Sequence, residues 1–234
     1  MPSGPGAYRQ RRGVGQGTSR STGIRRFVRL CGASASREAA LIDIERTIQE
    51  HQATVAALVP LAPRIQQLAE AMTRCLQAGG KILWMGNGGS AADSQHLAAE
   101  LVGRFARERK GLPSIALTTD TSILTAVGND YGYERLFSRQ VEALCRPEDL
   151  VVGISTSGNS PNVVNALLQA REIGAFTAAF SGNAGGRLQE IADLCLTIPC
   201  RTTARIQEAH ILIGHILCDW VEEAMMAGEN HVHR

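Results

Sequence analysis

The segment KILWMGNGGS, residues 81–90, joins a short apolar run to a glycine-rich turn. Residues 81–85 have the length and apolar content of a buried strand, and a helical pattern follows the turn. Glycines let the backbone approach a ligand closely, and the start of a helix offers unpaired N–H groups to an anion. The turn matches neither the dinucleotide fingerprint GxGxxG nor a P-loop, which ends in Gly-Lys-Ser/Thr. It predicts a strand, a turn and a helix, and the turn is either structural or anion-binding.

Similar strand-like runs recur along the chain, each before a turn and a helix. The runs occupy residues 81–85, 114–118, 150–154, 175–180 and 194–198. The last leads into a final helix predicted from about Ala204 to Met226. This alternation predicts an α/β three-layer sandwich, in which helices cover both faces of a five-stranded parallel sheet. Ligands of such sheets bind beyond the carboxyl ends of the strands, so the turns there form the predicted site.

Two amphipathic helices are predicted before the sheet. Apolar residues fall at helical spacing from Leu41 to Leu58 and again from Ile65 to Leu76, and Gly79 and Gly80 end the second helix. An apolar face exposed on these helices would suit subunit packing as well as the core.

Composition bounds the class of protein. With 234 residues, 44% of them apolar, the chain is long enough for one substantial core, and we expect a single domain over residues 38–230. No apolar run approaches the ~18 residues of a membrane span, and the first residues lack the apolar stretch of a secretory signal. The six cysteines include no CxxC pair, which favours buried free thiols over a disulfide framework or a zinc ribbon. We therefore expect a cytoplasmic protein.

The first 37 residues differ from the rest in charge. They contain eight of the 24 basic residues and no acid, which leaves 16 basic against 22 acidic residues in the remainder. Arg, Gly and Ser dominate this stretch without apolar periodicity, so we predict a disordered basic tail. It is either a dispensable extension, a nucleic-acid-binding arm or an organelle-targeting peptide.

The turn after the third strand-like run is rich in hydroxyl groups. Its sequence, STSGNSP, covers residues 155–161, in which Ser160 suits a helix N-cap and Pro161 the first helical position. Four hydroxyls and free backbone N–H groups, without any Lys or Arg, are typical of a neutral cradle for a sugar monophosphate. An elaborate helix cap would have the same sequence.

Taken together, the turns and a few helical residues resemble a known family. The matching motifs are GNGGS at 86–90 with His96 and Glu100, GND at 128–130, ISTSGNS at 154–160, and RIQE at 205–208 with His215. In this order and spacing, from about Leu41 to Met226, they closely resemble the phosphoheptose isomerases of the sugar isomerase (SIS) fold. The resemblance implies a flavodoxin-like SIS domain and a homotetramer.

The resemblance also implies a reaction. Family members convert sedoheptulose 7-phosphate to D-glycero-D-manno-heptose 7-phosphate, as a step in heptose biosynthesis. Such an aldose–ketose isomerase moves a proton between C1 and C2 through an enediol(ate), which requires a base, an acid and stabilisation of an oxyanion. By resemblance, Glu100 and His215 are the catalytic base and acid. Without it, His96 and Glu100, four residues apart on one helical face, would be an ordinary surface pair.

Substrate and metal contacts follow from the same resemblance. The implied substrate-binding residues are Asn87, Gly88, Gly89, Glu100, Asn129, Asp130, Ser155, Thr156, Ser157, Ser160 and Gln207. The implied ligands of one zinc ion per subunit are His96, Glu100, Gln207 and His215. A carboxylate held tightly by zinc is a poorer base, so Glu100 either moves between metal and substrate or has only one of these roles.

Helical spacing does not decide which histidine joins Gln207 in the metal site. Gln207 and His215 are eight residues apart on one predicted helix, about 12 Å along its axis. Geometry alone would pair Gln207 with His210 or Ile211, whereas the resemblance selects His215. His210 is otherwise a packed histidine. Ala204 stands where some family members have an acidic residue, which leaves the anomer of the product open.

Two other functions remain at this stage. One is a non-catalytic SIS-fold binding protein, of the type that binds the bacterial replication initiator; that relative lacks residues matching Glu100 and His215, both of which this chain has. The other is an isomerase of another sugar phosphate, since pocket shape sets substrate length. Nucleic acid is an expected partner only through the basic tail.

Overall fold

A five-stranded parallel sheet forms the centre of the molecule. It is seen in a computed structural model that describes residues 42–232, with their side chains through Ala227. The strands are β1 (Ile82–Gly86), β2 (Ser114–Ala116), β3 (Leu150–Ser155), β4 (Phe176–Gly182) and β5 (Leu194–Ile198). Their order is β2-β1-β3-β4-β5, and all neighbouring pairs are parallel. The predicted α/β sandwich is confirmed, and each predicted strand agrees with the observed one to within two residues at either end. The predicted tail, residues 1–37, lies outside the described residues.

Eight α-helices surround this sheet in the described part of the chain. They are α1 (Ile44–Ala56), α2 (Ala62–Gln77), α3 (Gly89–Val102), α4 (Thr121–Tyr131), α5 (Ser138–Leu144), α6 (Pro161–Ile173), α7 (Gly186–Ile191) and α8 (Thr203–Val232). The two predicted N-terminal helices are confirmed as α1 and α2. Between β2 and β3 the chain forms two helices where one was predicted, because Gly132, at φ +85°, ends α4 in a conformation that favours glycine.

Apolar side chains cover both faces of the sheet. Along β1, Ile82 and Trp84 point into a core shared with α2, α3 and α8, whereas Leu83 and Met85 point into a second core under α5 and α6. Because every strand of a parallel sheet is covered on both faces, its sequence is continuously apolar instead of alternating. The two cores fix the three layers and hold the carboxyl ends of the strands at one edge.

Helices α3 and α8 pack closely on one face of the sheet. A Cβ atom added to Gly214 would lie 2.4 Å from Leu97 Cδ2, so only glycine permits this approach. Leu97 and Leu101 of α3 are fully buried, as are Ile213 and Leu217 of α8. This seam places the polar faces of both helices side by side.

Cysteines contribute to packing. Five of the six lie in the described part of the chain, all as free thiols, and four of these are buried: Cys75, Cys145, Cys195 and Cys218. The prediction of buried free thiols is confirmed for these four.

Candidate active site

The turn after β1 brings α8 next to the start of α3. Gly88 has φ +56°, a conformation that glycine adopts without strain. A Cβ atom added to Gly89 would lie 2.5 Å from Gln207 Nε2, so the Gln207 side chain sits directly against this turn. The predicted substrate residues Gly88, Gly89 and Gln207 are therefore brought together.

Three of the four predicted metal ligands converge further along the seam. His96 Nε2 lies 3.1 Å from Glu100 Oε1 and 3.0 Å from His215 Nε2. One ligand atom from each residue lies within 4.8 Å of the others, and the two imidazole rings are 5.0 Å apart between centroids. His96 is exposed, and Glu100 and His215 are half-buried. Two imidazole nitrogens and a carboxylate oxygen form a donor set that suits zinc.

Gln207, the fourth predicted ligand, lies at a different level of the seam. It contacts Gly89, whereas His96 follows seven residues later on α3, about 10 Å along the helix axis. The structure therefore places Gln207 beside the first turn and the His96, Glu100 and His215 cluster deeper along α3.

His210 has a different environment from these residues. Its ring is fully buried, and Nε2 lies 3.1 Å from the carbonyl oxygen of Ser181, to which a protonated Nε2 donates. Burial lowers the pKa of His210 to about 4, although the hydrogen bond to Ser181 opposes this. His210 is therefore a neutral, packed histidine and does not join the cluster.

Asp93 is a residue that the sequence analysis missed. It lies on α3, three residues before His96, and its Oδ2 atom is buried without a hydrogen-bond partner in the described part of the chain. Burial raises the pKa of Asp93 to about 6, and the nearby His96 opposes that rise. The sequence did contain a signal, because Asp93, His96 and Glu100 occur at i, i+3 and i+7, which share one helical face.

The serine-rich turn after β3 gathers its hydroxyls at the start of α6. Ser155 Oγ lies 2.9 Å from Ser160 Oγ and 3.4 Å from Ser157 Oγ. Ser160 is the N-cap residue, as predicted, but its side chain makes no capping hydrogen bond to the helix. The first-turn N–H groups of a helix are the ones that can bind an anion. Three hydroxyls and a helix start therefore meet at one point, and Thr156 lies in the same turn.

The first and third turns are joined by a network of amides. Asn87 Nδ2 donates to Asn162 Oδ1 at 2.9 Å, Asn162 Nδ2 donates to Asn87 Oδ1 at 2.8 Å, and Tyr133 Oη also donates to Asn87 Oδ1 at 2.8 Å. Asn162 is buried. Neither Asn162 nor Tyr133 was predicted, because nothing in their local sequence indicates a partner 75 or 46 residues away.

Asn129 and Asp130 lie near the end of α4. Asn129 Nδ2 donates to Asp130 Oδ1 at 2.8 Å, and both residues stay exposed or half-exposed. Their link to the rest of the site runs through Tyr133, which follows them in the chain and bonds Asn87.

One surface groove lies away from the predicted site residues. Its volume is about 580 Å³, and its lining includes Arg74, Asp149, Arg171 and Asp193, near the amino ends of β3 to β5. None of the predicted site residues lines it. The candidate site is instead at the carboxyl edge of the sheet.

Within residues 42–232, no helix is both long enough and apolar enough to cross a membrane.

Several known proteins with similar sequences and structures are phosphoheptose isomerases. The SIS domain family model matches residues 45–182. A phosphoheptose isomerase from Geotalea daltonii is 56% identical over 184 residues, which cover 78% of this chain and 96% of that protein. The structure of phosphoheptose isomerase GmhA from Neisseria gonorrhoeae has 47% identity and a TM-score of 0.70, and the match covers 76% of this chain and 94% of that one. A phosphoheptose isomerase from Francisella tularensis has 38% identity and a TM-score of 0.72, and the match covers 78% of this chain and 100% of that one. The chain therefore belongs to the phosphoheptose isomerase family of SIS-domain proteins.

Proposed function

We propose that this protein is an aldose–ketose isomerase that converts sedoheptulose 7-phosphate to D-glycero-D-manno-heptose 7-phosphate. The observation that carries the proposal is the convergence of His96, Glu100 and His215 at the seam between α8 and α3, the helix that follows the first turn. The family and its relatives support the same reaction.

The isomerisation needs a proton to move between C1 and C2. Glu100 acts as the base that takes a proton from C1 and returns it to C2, and His215, whose Nε2 faces the same point, protonates the C2 oxygen and then takes the proton of the C1 hydroxyl. Their half-burial keeps both groups accessible to substrate while limiting competition from water. An enediol formed between them is held by the amide and hydroxyl groups around it.

We further propose that zinc binds at His96, Glu100 and His215, with Gln207 as a fourth ligand, and that Glu100 and His215 leave the metal for proton transfer, because an imidazole nitrogen bound to zinc carries no proton. The fit rests on two imidazole nitrogens and one carboxylate oxygen within 4.8 Å of one another. A metal ion bound there supplies Lewis-acid polarisation of a carbonyl oxygen. Because Gln207 lies against Gly89, it has to extend along the seam to reach the cluster, and its contact with substrate is the alternative.

Substrate binding divides between the two turns. Ser155, Thr156, Ser157 and Ser160 hold the phosphate at the start of α6, where three of the hydroxyls already converge. The sugar hydroxyls are bound by the remaining predicted residues: Asn87, Gly88, Gly89, Asn129, Asp130 and Gln207. The link from Asn87 to Tyr133 and Asn162 supports a single site built from three segments of the chain.

A cytoplasmic homotetramer is the proposed assembly, and residues 38–230 its single domain. Large apolar side chains stay exposed on α1 (Ile44 and Ile48) and on α8 (Ile216 and Trp220). Apolar exposure of this kind is typical of subunit contacts. A site at the α3–α8 seam is also suited to completion by a neighbouring subunit.

The alternative functions are less well supported. A replication-initiator-binding relative lacks the acid and base residues, whereas Glu100 and His215 meet in this chain. An isomerase of another sugar phosphate would need a differently shaped pocket, whereas relatives 56% and 38% identical to this chain are phosphoheptose isomerases.

The direct test is turnover of purified protein, followed by NMR. We expect sedoheptulose 7-phosphate to give the aldose phosphate, with fructose 6-phosphate as the comparison substrate, in the presence and absence of added zinc. Absence of product from either sugar in both conditions would contradict the proposal and favour a binding function. Turnover of the six-carbon sugar alone would reassign the substrate.

A further inference from the structure

A fully buried carboxylate lies on α8 beyond the candidate site. Glu222 follows His215 by seven residues, so both lie on one face of the helix. Its carboxylate accepts hydrogen bonds from the backbone N–H groups of Phe105, Ala106 and Arg107, at 2.8 to 2.9 Å. A buried carboxylate is costly unless its oxygens are saturated in this way.

Arg109 is the charged partner of Glu222. Arg109 Nε lies 3.1 Å from Glu222 Oε1, although its N–H does not point along a hydrogen bond, and its side chain is only 3% exposed. Burial alone would raise the pKa of Glu222, but the three N–H donors and Arg109 lower it below its ordinary value. The two residues therefore form a buried, charged pair.

The same arginine caps the helix that carries Glu100. Its Nη2 donates to the carbonyl of Glu100 at 3.0 Å, and its Nη1 donates to the carbonyls of Leu101 and Gly103 at 2.9 and 3.2 Å. The last carbonyls of a helix have no intrahelical partner, and a cation there also suits the helix dipole. Arg109 thus holds the backbone of α3 at the residue proposed as the catalytic base.

Glu222 acts near His215, the residue proposed as the catalytic acid. The backbone segment that it binds includes Phe105, whose ring centroid lies 5.6 Å from that of His215. Phe105 also packs against the core shared by α3 and α8. The carboxylate therefore fixes the segment that supports the imidazole of His215.

We infer that Arg109 and Glu222 are positioning residues, which set the separation of Glu100 and His215 by tying the end of α3 to α8. This inference rests on the catalytic roles proposed for Glu100 and His215. Neither Arg109 nor Glu222 touches the substrate turns in this arrangement. Their effect should consequently appear in kcat, because a base and an acid held about 1 Å out of place lose about 100-fold in rate.

The test compares Glu222→Gln and Arg109→Lys with a neighbouring control. Gln at 222 would place an NH₂ group against backbone donors, and Lys at 109 would keep the charge but lose the fork that reaches three carbonyls at the end of α3 and that of Lys110. Glu223 is the control position: its side chain is 74% exposed and approaches Arg107 only at 3.8 Å. We expect Glu223→Gln to behave as the parent protein.

Both variants should lower kcat by about tenfold to 100-fold, with KM changed by less than about threefold. The assays are run well below the melting temperature of each variant, with folding checked by circular dichroism. A folded variant at either position with the parent kcat would overturn the inference. Failure of both to fold would also overturn it, because the pair would then serve the whole fold.

The parent protein in the same assay separates this inference from the proposed function. If the parent has no isomerase activity, the proposed function fails. If the parent is active and Glu100→Gln is inactive, but Glu222→Gln and Arg109→Lys both have the parent kcat, only the positioning roles fail.

Discussion

Polar groups at the two ends of the sheet differ in their partners. At the amino ends, the buried Asp149 accepts hydrogen bonds from the backbone N–H groups of Lys81 and Arg146 and from Lys81 Nζ, at 2.5 to 2.9 Å. Asp193 likewise accepts from both the N–H and the hydroxyl of Thr177. These acids fasten the starts of neighbouring strands to one another.

At the carboxyl ends, by contrast, polar side chains that are partly exposed to solvent converge on one another. His96, Glu100 and His215 direct their ligand atoms to one point, and Oδ2 of Asp93 is buried without a hydrogen bond in the described part of the chain. One end of the sheet therefore uses its charges for stability, while the other gathers the residues proposed to bind a ligand.

The largest expected effect is on kcat, from substitutions at the carboxyl ends of the strands. Glu100→Gln and His215→Asn should each lower kcat by about 100-fold to 10,000-fold, because each removes a proton-transfer group. The melting temperature should change little, since both side chains are only half-buried. Steady-state kinetics with sedoheptulose 7-phosphate measure this, and Glu108→Gln, whose side chain is 91% exposed, is the matched control. Turnover at the parent rate in either variant would remove that residue from the mechanism.

A substitution at the amino ends of the strands should instead lower the free energy of unfolding. Asp149→Ala leaves Lys81 and two backbone donors without their acceptor, so the free energy of unfolding should fall by about 3 kcal/mol. Chemical denaturation measures the loss, and Glu148→Ala, at an exposed neighbouring position, should stay within about 0.5 kcal/mol. Surviving folded protein should keep its kcat. A large drop in kcat would show that the two ends are not separable.

A smaller effect is expected at the hydroxyl cluster. Ser160→Ala removes one hydroxyl from the proposed phosphate cradle, and KM should rise by about tenfold, because a hydrogen bond to a charged group is worth about 1.5 kcal/mol or more. kcat should be less affected than KM. The control is Ser122→Ala, at an exposed serine of α4. An unchanged KM would place the phosphate elsewhere.

The smallest expected effect is a pH-dependent change in stability at Asp93. Its folded-state pKa of about 6 lies above the ordinary aspartate value of 3.8, so the folded state binds this proton more tightly and loses stability as the pH rises between these values. Asp93→Asn should therefore stabilise the protein by about 1 to 2 kcal/mol at pH 7.5, with no gain below pH 4. Thermal melting across this pH range measures it. An equal gain at both pH values would contradict a titrating Asp93.

Most of the fold could be predicted from local sequence. Continuous apolar runs identified all five strands, and glycine and serine turns marked the carboxyl edge, because strand burial and turn chemistry depend on nearby residues. The single error in the element count, α4 and α5 in place of one helix, arose at Gly132, whose positive φ is decided by how the chain packs.

The sequence by itself determined the parallel sheet, the edge at which ligands bind and the family to which the chain belongs. Only the tertiary structure decided which polar residues meet. It separated the buried His210 from the cluster of His96, Glu100 and His215, and it brought Glu222 to Arg109. The physical reason is that apolar periodicity is a property of neighbours in the chain, whereas the partner of a charge is set by the packing of α3 against α8.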